Sequence, residues 1–273
     1  QFDMIGFNYL GKMGQLGNQM FQYAATKGIA ANRGYNYCIP NHNEVVVDPL
    51  GNKLKIELFN VFKMSTCNAL NLQIIDVGRP TVAEGTFHFN EKIFNECPDW
   101  VSLQGFFQSE KYFKNIEQEI RQDFEIIDEI KQPCEEMISA VSEPICLHIR
   151  RGDFLKNSGN HHNLNISYYE NALSKFGSDR NVIIFSDDPK WCKEQDLFSD
   201  DKFLVAEGNT SYVDLCLMSL CSDFIIANST FSWWGAWIAN KGRVIAPSKW
   251  FGPNNAHLNT KDLYPEGWEI INE

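Results

Sequence analysis

Three observations predict an α/β fold with parallel sheets. Four apolar, β-rich runs recur through the second half: ICLHIR (145–150), NVIIFS (181–186), FIIANS (224–229) and RVIAP (243–247). Helical stretches at 167–177 and 211–222 fall between them. Near-continuous apolar strands alternating with helices mark a parallel sheet covered on both faces. The third observation lies at the other end of the chain, where a strand, a glycine-punctuated loop and a helix follow one another. That succession opens an α/β domain.

The elements follow in order. MIGFNYL (4–10) reads as a short buried strand, and Gly11-Lys-Met-Gly14-Gln-Leu-Gly17-Asn18-Gln19 as the loop after it. Asn18 to Asn32 reads as a helix, because Met20, Phe21, Ala24, Ala25 and Ile29 share one apolar face. From about 40 to 100 no period dominates. Helical character returns over 111–143, with Pro133 placed near the first turn of the second of two helices. The boundary is set near Ser142-Glu-Pro144, giving an N-terminal α/β unit 1–144 with the glycine loop and a C-terminal Rossmann-like unit 145–273.

Composition excludes several classes. Of 273 residues 44% are hydrophobic and 22% charged, which is globular composition. A net charge of −11 argues against a nucleic-acid partner, which needs a basic surface. It leaves room for an anionic small ligand, since a few local arginines can hold a phosphate. None of the 8 cysteines forms a C-x-x-C pair, so no zinc ribbon is expected. Cys146 and Cys216 sit in apolar runs and read as buried thiols. The scatter suits a reducing compartment, and a cytoplasmic location is expected. No run reaches the ~18 apolar residues of a membrane span. A membrane anchor outside this sequence is left open.

Ligands of open α/β sheets sit at the carboxyl ends of the strands. Three polar clusters occupy those ends. In His148-Ile-Arg150-Arg151-Gly152-Asp153, strand alternation sends His148 and Arg150 to one face and Arg151 to the other. Guanidinium forks match phosphate oxygens, so Arg150 and Arg151 suit a diphosphate, with Asp153 orienting one of them. The alternative is a structural Arg–Asp pair. In Ser186-Asp187-Asp188-Pro189, Asp188 reads as the cap of a helix starting at Pro189, while Ser186 and Asp187 face a nucleotide. Paired aspartates also invite a metal, but adjacent side chains on an extended chain diverge. Asn228-Ser229-Thr230-Phe231-Ser232 offers hydroxyls and N–H groups at a helix start, a natural phosphate seat. Trp234 and Trp237 read as core. The sequon at Asn228 is expected to lie too deep for glycosylation. Asp214, on an apolar helix, could meet the N1–H and N2–H₂ donors of guanine, and a capping or surface role is equally open. His161-His162 is expected to be exposed to solvent. The glycine loop lacks the lysine of a P-loop and permits close approach of backbone to a ligand.

Together, and in this order, four segments resemble the α-1,2-fucosyltransferases of glycosyltransferase family 11. They are Gly14-Gln-Leu-Gly-Asn-Gln-Met-Phe-Gln-Tyr-Ala24, His148-Ile-Arg-Arg-Gly-Asp153, Ser186-Asp-Asp-Pro-Lys-Trp191 and Asn228-Ser-Thr-Phe-Ser-Trp-Trp-Gly-Ala-Trp237. The resemblance implies a GT-B architecture, two Rossmann-like domains facing across a cleft, with GDP-fucose held mainly by the C-terminal one. It implies inverting, metal-independent transfer of fucose from GDP-β-L-fucose to the 2-hydroxyl of a terminal galactose on an oligosaccharide. No cofactor is implied, since GDP-fucose is a co-substrate. By motif, Arg150 would engage the diphosphate, and Asn18, flanked by Gly17 and Gln19, would look across the cleft towards it. His148, Asp214 and the segment Ser229–Ser232 match regions holding the nucleoside and phosphates. Asp153 and His148 are candidate bases, while late proton transfer to the leaving phosphate would need none. The acceptor is expected at 40–110. Another linkage, such as α-1,6, and a non-catalytic nucleotide- or sugar-binding module of the same fold are the alternatives.

Overall fold

The computed structural model describes residues 2–41 and 44–273, and the chain divides into two compact units. The first begins β1 (Met4–Gly6), α1 (Leu16–Arg33), β2 (Asn36–Cys38). A small antiparallel hairpin of β3 (Val46–Val47) and β4 (Lys53–Leu54) follows, then α2 (Leu58–Val61), β5 (Thr81–Ala83), α3 (Glu91–Glu96), β6 (Val101–Gln104) and α4 (Glu117–Asp123). The main sheet runs β2-β1-β6-β5, with every pairing parallel. The order reverses between β1 and β6, so the loops leaving those two strands open a crevice at their carboxyl ends.

Helix α1 departs from its expected single apolar face. It starts two residues early, and Gln19, Gln22, Thr26 and Lys27 are buried alongside its apolar residues. A helix enclosed on all sides must satisfy its polar groups internally. Thr26 donates to the Gln22 carbonyl at 2.7 Å, and Lys27 meets the fully buried Asp123 at 2.9 Å. Gly28 is required by close approach, since a Cβ there would fall 1.9 Å from the Tyr112 carbonyl oxygen.

The second unit contains α5 (Asp128–Ile138), β7 (Ile145–Ile149), α6 (Gly152–Lys156), α7 (Ile166–Leu173), β8 (Val182–Ser186), α8 (Pro189–Lys193) and β9 (Phe203–Val205). It continues with α9 (Ser211–Ser219), β10 (Asp223–Ile225), α10 (Thr230–Ala239), β11 (Val244–Pro247) and β12 (Glu269–Ile271). Its sheet runs β12-β11-β10-β7-β8-β9, again all parallel. In chain order this is the doubly wound 3-2-1-4-5-6 arrangement, whose switch point lies between its first and fourth strands. Here those are β7 and β10. Ile145, Leu147 and Ile149 of β7 pack with Val182, Ile184, Ile225 and Ile245 beneath Tyr168 and Tyr169 of α7. Trp234 and Trp237 are core, as expected, and Trp233 joins them, with Trp234 edge-on to both rings. All eight cysteines are free thiols, with Cys146 and Cys216 buried.

The expected boundary at 144/145 is corrected in two ways. The first unit ends at Glu125 and regains Leu258–Pro265, while the second holds Ile126–His257 and Glu266–Glu273. Helix α5 packs on α9 and so belongs with the second sheet. The returning segment is fixed by Asp262, which accepts the Phe89 N–H at 2.9 Å and Lys111 Nζ at 2.5 Å. Pro133 lies in the middle of α5, not its first turn.

One buried acid in the first unit was missed in the sequence. Glu84, just past β5, accepts the Phe107 N–H at 3.1 Å and the Tyr112 hydroxyl at 2.7 Å. Burial pushes its carboxyl up from 4.5 to about 7. Because the folded value is raised, the stability it confers is complete below the unfolded value and is lost as pH rises through about 7. Wild-type stability in denaturant is therefore expected to fall between pH 5 and pH 8 by at most a few kcal/mol. Glu84→Gln should flatten that fall; equal slopes in both proteins would show that Glu84 is not its source.

Candidate functional site

The site is built where the sheet of the second unit changes direction. β7 ends in His148-Ile149 and hands the chain to Arg150 and Arg151, and β10 leads through Asn228 to the start of α10. One side-chain bond ties the two loops: His148 Nδ1 lies 2.7 Å from Ser232 Oγ. Ser232 Oγ already accepts the Ala227 N–H at 3.3 Å. The hydroxyl keeps a second lone pair and its own proton, so the bond to Nδ1 forms with either imidazole tautomer. Burial, reinforced by the Arg150 charge, pushes His148 down to about 3. The shift favours the neutral ring at physiological pH, and the bond to Ser232 suits His148 to a scaffold between β7 and α10.

Arg150 is held from two sides. Its Nη2 meets Asp153 Oδ1 at 2.5 Å and its Nη1 meets Asp187 Oδ2 at 3.1 Å. Its guanidinium also sits 5.3 Å from the Phe154 ring centroid. This fixes the fork with a quarter of the side chain exposed. Asp187 has a second duty, accepting the Arg151 N–H at 2.8 Å and so joining the β7 and β8 loops. Gly152 makes room for it, since a Cβ there would fall 2.3 Å from Asp187 Oδ2. Arg151 points away, as alternation requires. It lies 4.0 Å over the Trp191 ring and 3.2 Å from Asp188. Asp188 caps α8 as expected, accepting the Trp191 N–H at 3.2 Å. Ser186 Oγ accepts the Asp188 N–H at 3.0 Å.

The remaining candidates separate into two groups. Ser229 caps α10 and accepts the Phe231 N–H, leaving Thr230 and Ser232 in the first turn. The helix N-terminus thus opens at the same switch point as Arg150. Asp214, in the first turn of α9, is half-buried; burial raises its carboxyl, and Asn209 donates to it at 3.2 Å. Asn228 is corrected from ligand contact to structural tie. It is buried, and its Nδ2 donates to the carbonyls of His162 and Trp250 at 2.7 and 3.0 Å. The same bonds remove it as a glycosylation acceptor. His161 and His162 are half-buried, not exposed: His161 stacks on Phe154, and His162 pairs with Glu273.

In the first unit, Gly17, Asn18 and Gln19 lie in the first turn of α1, not in the loop. Gln19 is also corrected to a structural role. It is fully buried, with Nε2 donating to the carbonyls of Gly14 and Lys55 and Oε1 accepting the Glu57 N–H. Asn18 is half-buried, and its Oδ1 accepts from Gln108 Nε2 at 3.0 Å. Gln108 escaped the sequence reading; its one signal was a position directly after Phe106-Phe107. A cavity of about 200 Å³ opens in this unit, lined among others by Tyr9, Lys12, Glu44, Ile74, Asp76 and Arg79. Most of its lining falls in the 40–110 segment.

A family model described as glycosyl transferase family 11 matches residues 3–272. The chain belongs to that family. Its relatives include an α-1,2-colitosyltransferase of Escherichia coli, 33% identical over 94% of this chain and 96% of its own length. Galactoside α-(1,2)-fucosyltransferase 1 of Bos taurus is 25% identical over 90% of this chain and 69% of its own length. Among solved structures, POFUT1 in complex with GDP matches with a TM-score of 0.54 at 15% identity, over 88% of this chain and 95% of that one. The NodZ α-1,6-fucosyltransferase soaked with GDP-fucose matches with a TM-score of 0.54 at 12% identity, over 87% and 93%. These likenesses give this family 11 glycosyltransferase a fold of the GT-B class. Among the described residues no helix is long and apolar enough to cross a membrane.

Proposed function

We propose that this glycosyltransferase moves L-fucose from GDP-β-L-fucose to the 2-hydroxyl of a terminal galactose, inverting the anomeric centre without a metal ion. The observation that carries the reading is the Arg150 fork, held by Asp153 and Asp187 beside the N-terminus of α10 at the switch point. The acceptor oxygen attacks C1 of fucose as the bond from C1 to the β-phosphate oxygen breaks, and that electron pair leaves with GDP. Arg150 and the first-turn N–H groups of α10 stabilise the growing charge, a task worth a few kcal/mol per donor. Asp187 and Asp188 are committed to arginines and a helix cap, which supports chemistry without a divalent ion. Asp214 is the candidate for the guanine edge. The hydroxyl proton passes to Asp153 or to a phosphate oxygen of leaving GDP. Tyr9, Asp76 and Arg79, in the cavity of the first unit, are candidates to grip the glycan.

One observation favours a second donor. The Escherichia coli relative is named a colitosyltransferase, and colitose is fucose without its 3-hydroxyl. A site that hydrogen-bonds a hydroxyl rejects its deoxy analogue strongly, so the donors are separable. The test incubates the protein with lactose and EDTA, giving GDP-fucose or GDP-colitose in parallel and following GDP release and product linkage. A 2′-fucosylated product formed in EDTA is the expected outcome. Product from GDP-colitose alone would move the reading to that donor, and a strict divalent-ion requirement would return Asp187 and Asp188 to the role of metal ligands. GDP binding without any turnover would favour a non-catalytic module.

A further inference from the structure

The sheet of each unit has its own switch point, and in each a side-chain hydrogen bond joins the two segments that flank it. In the second unit that bond is His148–Ser232. In the first unit the loops leave β1 and β6, and the bond is Gln108 Nε2 to Asn18 Oδ1. We propose that Gln108 is a positioning residue that fixes the amide of Asn18 with its Nδ2 turned outward, as a donor to a substrate oxygen. The proposal rests on the fucosyl-transfer reading and on the ligand-facing role that the family resemblance implies for Asn18.

Several features make this a built arrangement. Asn18 Oδ1 is taken by Gln108, and among the described residues nothing accepts from its Nδ2. The amide lies so close over Gly14 that a Cβ at Gly14 would fall 2.6 Å from Asn18 Nδ2. Only a glycine leaves room for that placement. Gln108 is itself 8% exposed, and its Oε1 is buried without a hydrogen-bond partner. A polar group left so is ordinarily avoided, and here it accompanies a side chain whose one bond is to Asn18.

The strap presenting Gln108 is held independently of that bond. Gly105 and Phe107 both take positive φ, +146° and +52°. A non-glycine residue there is strained and persists only when its surroundings fix it. Glu84 supplies that fixing by accepting the Phe107 N–H. One turn along α1 from Asn18, Gln22 Nε2 donates to the Gly105 carbonyl at 3.1 Å. The strap is thus docked on α1 even without Gln108, so removing that side chain frees the Asn18 amide without freeing the backbone.

The test is a kinetic cycle. Asn18→Ala is expected to lower kcat about 100-fold, the loss of one donor to a charge-bearing oxygen. Gln108→Leu, which keeps the volume but frees the amide, should lower kcat about tenfold. Gln108→Glu offers Asn18 only acceptors, turns Nδ2 inward and should match Asn18→Ala. The double variant Gln108→Leu with Asn18→Ala should be no worse than Asn18→Ala alone. Wild-type kcat in Gln108→Leu, or losses that multiply to about 1000-fold in the double variant, would overturn the proposal. A rise in the acceptor KM without one in the GDP-fucose KM would assign the recognised oxygen to the glycan. The side-chain amide resonance of Asn18 gives an arm independent of turnover: Gln108→Glu should shift it and slow its exchange with solvent. An unmoved resonance would sink the positioning role even if the protein transferred another sugar, and absent turnover in the wild type would strike the fucosyl reading alone.

Discussion

Arg150→Ala is expected to lower kcat/KM for transfer about 1000-fold or more while the protein stays folded. The loss exceeds that of an ordinary phosphate contact because of what the arginine leaves behind. Asp153 and Asp187 lie 2.5 and 3.1 Å from its two terminal nitrogens. Without the guanidinium, two carboxylates would face the incoming diphosphate, so the variant loses a donor and gains repulsion. Both carboxylates are about a quarter exposed, 21% and 25%, so water screens them and the fold tolerates the change. Arg150→Lys keeps the charge but loses the fork, and should fall between wild type and alanine. Steady-state kinetics with GDP-fucose, GDP affinity by calorimetry and far-ultraviolet dichroism make the check. Near-normal turnover in a folded Arg150→Ala protein would remove Arg150 from the diphosphate.

The second unit was legible because its strands are buried on both faces. ICLHI and VIIFS announce themselves as parallel-sheet strands, and the polar residues after them fall where the fold needs a ligand. The strand-end positions of Arg150 and Asp153 and the Asp188 cap emerged this way. Gln19 and Asn228 were misassigned for a physical reason. An amide beside a strand end looks the same in sequence whether it meets a ligand or a backbone carbonyl 22 residues away, as Asn228 does at Trp250. Gln108 pairs with Asn18 across a separation of 90 residues, and no local pattern carries that information. The unit boundary failed likewise, because the return of residues 258–265 depends on Asp262 reaching Phe89 and Lys111. α1 resisted for a related reason. Its buried polar residues break the amphipathic pattern, and Gln19, Gln22 and Lys27 meet partners far along the chain.

Asp123→Ala is expected to destabilise the first unit by about 3–5 kcal/mol, the usual loss when one partner of a buried ion pair is removed. Asp123 is fully buried at the end of α4. Its Oδ2 accepts the Tyr23 hydroxyl at 2.7 Å and Lys27 Nζ at 2.9 Å, both from α1. Its Oδ1 accepts the N–H and hydroxyl of Thr66 at 2.8 and 2.7 Å. Removing the carboxylate takes an acceptor from four donors at once. Lys27, 6% exposed, would be left with Thr66 and with Glu119 at 4.0 Å. Denaturant unfolding should show a lower midpoint at an unchanged slope. Replacing the pair together, Lys27→Met with Asp123→Leu, should recover much of the loss, since apolar substitution of a buried pair is often neutral. A single variant that unfolds like wild type would mean that the pair contributes nothing net. A double variant no better than the single would mean that the hydrogen bonds to Tyr23 and Thr66, more than the charge on Lys27, make Asp123 necessary. Either result bears on transfer, because α1 carries Asn18 in its first turn and must be seated before that amide can be aimed.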